Sequence, residues 1–215
     1  MKKNKHTLII GGSRGIGKAT THFFQLNKNN VSVLSNSTPE MEISNNLFFL
    51  QTNITDTDQL NTNLDSCIKK FGPISNLIFC QRYRQNEDDW QGEIETSLTA
   101  TKLCIDYLST KFKHNNINSI VIISSILGSF VAKDTPLSYH VCKGALIQLV
   151  RYYAIKLASL NIRINSVSPG TILKSESKEF YLNNKNINDL YTKINPSGKM
   201  GSAEEIAEII YFLCT

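Results

Sequence analysis

Residues 7–17 read Thr-Leu-Ile-Ile-Gly-Gly-Ser-Arg-Gly-Ile-Gly (TLIIGGSRGIG), and this stretch decides the architecture. Thr7–Ile10 is an apolar, partly β-branched run of strand length. Gly11, Gly15 and Gly17 follow in the arrangement GxxxGxG, and the helical stretch Lys18–Asn27 leads out of them to a polar break over residues 27–30. A strand passing through a glycine-rich turn into a helix is the opening of a βαβ unit. Glycine lets such a turn run tightly and approach a pyrophosphate, while the helix N-terminus offers N–H groups and a positive dipole end. The spacing differs from the dinucleotide fingerprint GxGxxG.

Strand and helix alternate outward from this turn. Val31–Leu34 and Leu47–Gln51 read as strands two and three. Gln59–Phe71 has helical apolar spacing at Leu60, Leu64, Cys67, Ile68 and Phe71, and stops at Gly72-Pro73. Leu77–Cys80 reads as strand four, Trp90–Lys113 as one long helix, and Ile120–Ile123 as strand five, apolar enough to be covered on both faces. Ser138–Leu160 reads as another long helix and Ile162–Val167 as strand six, closed by Pro169-Gly170. Residues 171–196 read as an irregular loop with short helices, and Ala203–Leu213 as a last helix capped by Ser202. The expectation is one α/β domain over residues 1–215: a three-layer, doubly wound parallel sheet with right-handed crossovers, binding its ligand beyond the carboxyl ends of the strands.

Composition agrees with that class. The 215 residues are 41% hydrophobic and 19% charged, enough for one sizeable core. No apolar run approaches the roughly 18 residues that span a bilayer, and the polar, basic start (residues 1–6) lacks an apolar signal region, so the reading is soluble and cytoplasmic. The net charge of +5 is scattered, and the Lys2, Lys3 and Lys5 cluster reads as a solvated tail rather than a nucleic-acid contact. Cys67, Cys80, Cys104, Cys142 and Cys214 form no CxxC pair and no metal-ligand spacing with a histidine, which fits a reducing compartment and no metal site.

Tyr139 and Lys143 stand four apart on a helix and so share a face. A tyrosine, with an ordinary pKa near 10, needs roughly 4 kcal/mol favouring the phenolate to work near neutral pH, at about 1.36 kcal/mol per unit. One ammonium about 4 Å away supplies on the order of 4 kcal/mol at an effective dielectric near 20. Ser124, Ser125 and Gly128 follow strand five, where a serine hydroxyl can donate to a substrate carbonyl while Tyr139 supplies the proton. The second strand ends in Ser35-Asn36-Ser37 with no carboxylate for a ribose 2′-hydroxyl, and Arg14 in the glycine turn can pair with a 2′-phosphate. Both lean toward NADP, with NAD left open.

Together these segments resemble the short-chain dehydrogenase/reductase family. The matching pieces are GGSRGIG at 11–17, ISSILG at 123–128, YHVCK at 139–143, IRINSVSPGT at 162–171 and KMGSAEEIAEIIYFL at 199–213. The resemblance implies an NAD(P)(H)-dependent oxidoreductase acting on a carbonyl or alcohol. It implies Tyr139 as general acid/base, Lys143 as the group that lowers its pKa and binds the nicotinamide ribose, and Ser125, three residues before Gly128, as the substrate-orienting serine. Cofactor contacts would come from Gly11, Ser13, Arg14, Gly15, Ile16, Gly17, Ser35, Asn36 and Cys80. Asn53 and Ile54 would meet adenine, and Pro169, Gly170, Thr171 and Ile172 would border the nicotinamide.

Departures accompany the match. The family's NNAG reads Phe79-Cys80-Gln81-Arg82, with arginine replacing a glycine beside the cofactor. The usual active-site asparagine aligns with Ser97, whose main-chain carbonyl would hold a lysine-bound water. The segment 125–139 is one residue longer than the family pattern, and the sequence ends at Thr215, where the family continues into a last strand: either the protein is naturally short or that tail lies outside this sequence. These departures motivate an alternative, a catalytically impaired dinucleotide-binding scaffold or sensor. Of the smaller features, His140 reads as structural and Asp88 with Asp89 as helix caps. Tyr83, Arg84 and Trp90 read as substrate mouth or loop packing, and Tyr152 and Tyr153 as dimer face or core. The resemblance implies a homodimer through the helices at 90–113 and 138–160.

Overall fold

Strand β1 (His6–Ile10) is flanked by β2 (Asn30–Ser35) and β4 (Asn76–Phe79) in a six-stranded parallel sheet. With β3 (Leu47–Gln51), β5 (Asn118–Ile123) and β6 (Ile162–Val167), the order is β3-β2-β1-β4-β5-β6. The computed structural model describes residues 4–38, 44–84, 88–112, 117–173 and 178–215; Lys2, Lys3 and Lys113 lie outside them. The strand order reverses between β1 and β4, which opens a crevice at the carboxyl ends of these two strands.

Alternation along each strand sorts side chains into two cores. Leu8, Ile10, Leu77, Phe79, Ile120 and Ile122 face one side, with Leu60 and Leu64 of α2 (Thr57–Phe71), Ile105 and Leu108 of α4 (Ala100–Leu108) and Leu146 and Val150 of α5 (Leu137–Lys156). Ile9, Val31, Val33, Ile78 and Val121 face the other, with Phe24 of α1 (Gly15–Leu26) and Ile206 and Ile210 of α8 (Ala203–Cys214). Near-continuous apolar strands are what a parallel sheet covered on both faces requires. Ser202 caps α8 as expected, within a capping box closed by Glu205.

Three expectations need correction. Helix α1 begins at Gly15, inside the glycine turn, rather than at Lys18. The long helix expected over 90–113 is α3 (Trp90–Glu93), a π-helical turn at Ile94–Thr99 and α4, which ends at Leu108. Apolar spacing does not reveal one extra residue in a helical turn. Helix α5 stops at Lys156, and a 3₁₀ turn at Ala158–Leu160 leads to Asn161 in a left-handed conformation (φ 55°). The irregular segment after β6 holds a short parallel pair, β7 (Ile172–Leu173) with β8 (Gly201–Ser202), and two helices, α6 (Lys178–Asn183) and α7 (Lys185–Ile194). Strand β6 is the last strand of the main sheet among the described residues. Also among them, no helix is long and apolar enough to cross a membrane.

Candidate active site

The crevice holds two adjoining cavities of about 730 and 230 Å³ that share Arg14, Cys80, Gln81, Arg82 and Arg84 in their walls. The larger follows the ends of β1, β2 and β3, past Gly11, Ser13, Ser35, Asn36, Asn53 and Ile54. The smaller is lined by Gly15, Ile16, Gly17, Ser125, Tyr139, Lys143, Pro169, Gly170, Thr171 and Ile172, among others. Every site residue expected from the sequence except Ser97 therefore borders one elongated cleft.

The glycine turn is shaped by close backbone approach. Gly11 has φ 80°, and a Cβ there would sit 2.5 Å from the Gln81 amide nitrogen; a Cβ on Gly17 would sit 2.0 Å from the Gly11 carbonyl oxygen. No side chain caps α1 at Arg14, so the helix presents its amide end to the cleft. A cradle that a methyl group would fill, at a positive helix end, fits a pyrophosphate. At the end of β2, Ser13 Oγ lies 2.6 Å from Ser35 Oγ and 3.0 Å from Ser37 Oγ, beside the exposed Arg14.

Ser125 and Ser124 diverge in use. Ser124 Oγ donates to the Lys143 carbonyl (2.7 Å), tying β5 to α5. Ser125 Oγ accepts from the Leu127 amide (3.1 Å) and borders the smaller cavity with Tyr139. Lys143 is 4% exposed, and its Nζ donates to the Ile123 carbonyl at the end of β5 (2.9 Å). That Nζ lies 5.4 Å from the centre of the Tyr139 ring. Burial draws the Lys143 pKa from 10.5 down to about 8; Glu93 opposes the fall and Arg82 adds to it.

Glu93, to which the sequence did not point, and Arg82, the arginine at the family's glycine position, belong to this neighbourhood. Glu93, at the end of α3, is 4% exposed and accepts from Ser97 Oγ (2.5 Å), and its carboxylate acts electrostatically on Lys143. Ser97 thus lies behind the cleft wall. Its carbonyl accepts from Thr101 Oγ1 (2.7 Å), which also accepts from Gln81 Nε2 (2.7 Å). Buried Gln81 Oε1 has no hydrogen-bond partner among the described residues. The second residue is Arg82, whose guanidinium carbon sits over the Tyr139 ring, 5.4 Å from its centre. A charged residue at a glycine position, directly after a strand that ends in the crevice, was the available signal.

The smaller features resolve as well. His140 Nε2 accepts from the Ala132 amide (3.0 Å) and its Nδ1 bonds the Pro136 carbonyl (2.8 Å), a structural role. Asp89 caps α3 through the Gly92 amide (3.0 Å) and accepts from the Tyr83 hydroxyl, while Asp88 accepts from the Ser138 amide of α5 (3.3 Å). Tyr83 and Arg84 border the larger cavity, whereas Trp90 does not. Tyr153 is core, its hydroxyl donating to Asp106 (2.7 Å), and Tyr152 is exposed.

Compared with known proteins, residues 11–215 match the family model described as enoyl-(acyl carrier protein) reductase (adh_short_C2). The chain belongs to the short-chain dehydrogenase/reductase family. Among similar relatives of this dehydrogenase/reductase is the 3-oxoacyl-[acyl-carrier-protein] reductase FabG of Thermotoga maritima, 29% identical over 99% of this chain and 91% of the relative. Among solved structures, ElxO with NADP bound is 27% identical, with a TM-score of 0.86 over 99% of this chain and 92% of that one. The ligand-free aldohexose dehydrogenase of Thermoplasma acidophilum shares the fold, with a TM-score of 0.87 at 24% identity over 99% and 88%. Membership makes this chain an oxidoreductase, and the comparisons lend the non-enzymatic alternative no support.

Proposed function

We propose that this chain, as one NAD(P)-binding domain over residues 1–215, interconverts a small carbonyl compound and its alcohol at the expense of NADP(H), with Tyr139 as general acid/base. The observation that carries the reading is the convergence of Ser125, Tyr139 and Lys143 on one 230 Å³ cavity beside the glycine turn. Gly11, Ser13, Gly15, Ile16 and Gly17 hold the pyrophosphate side, Asn53 and Ile54 the adenine, and Cys80, Pro169, Gly170, Thr171 and Ile172 the nicotinamide side. Bound there, the nicotinamide supplies or accepts a hydride.

The chain's own groups manage the proton and the charge. Tyr139 donates its hydroxyl proton to the carbonyl oxygen in reduction and withdraws it in oxidation. Ser125 donates a second hydrogen bond to the same oxygen, so both donors meet the charge that develops there. Lys143, anchored on the Ile123 carbonyl, holds a positive charge near the phenol and reaches the ribose hydroxyls. Glu93, which accepts from the Ser97 hydroxyl, opposes the loss of that charge through burial.

NADP is favoured over NAD by Arg14 and the hydroxyls of Ser13, Ser35 and Ser37, with Asn36 beside them, where a 2′-phosphate needs donors and a carboxylate would repel it. The NADP carried by ElxO supports the same choice. A homodimer through the helices of 90–113 and 138–160 is supported by apolar residues exposed on α5, Val141, Tyr152 and Ile155. Cytoplasmic residence is supported by five free thiols.

The deciding experiment is Tyr139→Phe. Turnover of a carbonyl panel should fall by about 10²–10⁴-fold, while NADPH fluorescence titration returns the wild-type affinity. Retained turnover removes Tyr139 from its role, and failure of the wild-type protein to bind NADPH removes the whole reading. A tyrosine-to-phenylalanine variant of ElxO was solved with NADPH bound, so a phenol need not be present for binding in that relative.

A further inference from the structure

The cavity around Tyr139 is one-sided in charge. Among the described residues, Arg14, Arg82, Arg84 and Lys143 line it and no aspartate or glutamate does. The cations have different employments. Arg14 sits at the glycine turn, on the side of the phosphates, and Lys143 is fixed to the Ile123 carbonyl. Arg82 stands apart from both. Its guanidinium covers the Tyr139 ring, it is exposed, and it has no carboxylate partner among the described residues.

A guanidinium at that place meets whatever is presented to the tyrosine hydroxyl. Its planar fork matches a carboxylate with two parallel hydrogen bonds. Filling the cleft with cofactor and substrate removes water and strengthens such a pair, whereas a neutral substrate leaves the Arg82 guanidinium with no carboxylate among the described residues to pair with.

We propose that Arg82 is a specificity residue, and that the substrate of this site is a small oxo acid, a carbonyl compound bearing a carboxylate one or two carbons from the reacting carbon. The inference rests on the oxidoreductase reading above. In the reduction, hydride from the reduced nicotinamide dinucleotide adds to the carbonyl carbon and the carbon–oxygen π bond opens. The oxygen then takes the Tyr139 proton, giving the hydroxy acid and the oxidised dinucleotide. The carboxylate stays bound to Arg82 and is not consumed.

The test pairs each charged acid with its uncharged ethyl ester. NADPH oxidation is followed with 2-oxobutanoate and 3-oxobutanoate and with their ethyl esters, for the wild type and for Arg82→Met, which keeps an apolar side chain on the tyrosine ring. A charge-assisted pair worth about 1.5–3 kcal/mol corresponds to roughly 10–100-fold. At least one wild-type acid-to-ester ratio of kcat/KM should therefore exceed about tenfold, and Arg82→Met should bring that ratio close to one. Equal wild-type rates for acids and esters overturn the proposal, as does a variant that keeps the ratio. A variant that weakens NADPH binding by the whole factor lost in turnover also overturns it, because the guanidinium then serves the cofactor. If the wild type turns over none of the four compounds, calorimetry of the two acids on the NADPH complex decides. Acid binding that disappears in Arg82→Met upholds the anion site while the redox reading fails, and absence of acid binding overturns the site itself.

Discussion

Replacing Lys143 by methionine should make the ligand-free protein more stable at neutral pH and inactive. Lys143 is 4% exposed, and its pKa falls from 10.5 to about 8, chiefly through burial. At about 1.4 kcal/mol per pH unit, the folded state disfavours the ammonium by roughly 3 kcal/mol. Below pH 8 both folded and unfolded chains carry the proton, so the whole cost is present. Between pH 8 and 10.5 the folded chain releases the proton while the unfolded chain keeps it, and wild-type stability rises with pH. Above 10.5 the cost is gone. Methionine has similar length and no charge, and it forfeits the hydrogen bond to the Ile123 carbonyl, worth about 1 kcal/mol. The expected gain at pH 7 is therefore about 2 kcal/mol, or about 4–8 °C in Tm for a chain of this size. By about pH 10.5 the order should reverse. Urea unfolding followed by circular dichroism, for both proteins at intervals from pH 6.5 to 10.5, reads the difference directly, since other titrating groups are common to both. A variant less stable than the wild type by the same margin at every pH would refute the reasoning.

The remaining predictions concern the wall, the turn and the cofactor choice. Glu93→Gln removes the carboxylate that holds the Lys143 pKa up, so the alkaline limb of the kcat/KM profile should move toward lower pH; an unmoved limb means that Glu93 does not act on the lysine. Gly17→Ala places a methyl carbon where 2.0 Å separates it from the Gly11 carbonyl oxygen and should weaken NADPH binding by at least about 100-fold, and a near-normal titration would show that the turn can give way. Ser35→Asp sets a carboxylate against the 2′-phosphate and should lower the NADPH to NADH affinity ratio by about tenfold or more; an unchanged ratio sends the phosphate elsewhere.

The order of strands and helices was legible because the strands are covered on both faces and read as apolar runs. Boundaries failed where polar residues are buried at strand starts. Asn118 and Ser119 open β5 almost fully enclosed, with Ser119 Oγ donating to the Leu213 carbonyl (2.9 Å), and Asn76 opens β4 by donating to Thr7 Oγ1 (2.9 Å). Such residues look like loop until a partner distant in sequence is known. Within the site, Tyr139, Lys143 and Ser125 were readable because a helix fixes the four-residue spacing and a strand end fixes the serine. Glu93 was not, since a glutamate is almost never enclosed unless paired, and its partners lie four and fifty residues away, at Ser97 and Lys143. The place of Arg82 over Tyr139 depends on the loop after β4 meeting the first turn of α5, which no local pattern records.

The π-helical turn at Ile94–Thr99 changes what a single helix can face. In an unbroken α-helix, Glu93 and Cys104 would project within about 20° of each other. One surplus residue in the turn opens that angle to roughly 80°. Cys104, Ile105 and Leu108 can then lie against the sheet while Glu93 and Ser97 look sideways toward α5. Deleting Thr96 would bring the halves back into phase and send an acid into the oily layer, so the protein keeps its enclosed carboxylate by leaving its helix one residue out of step.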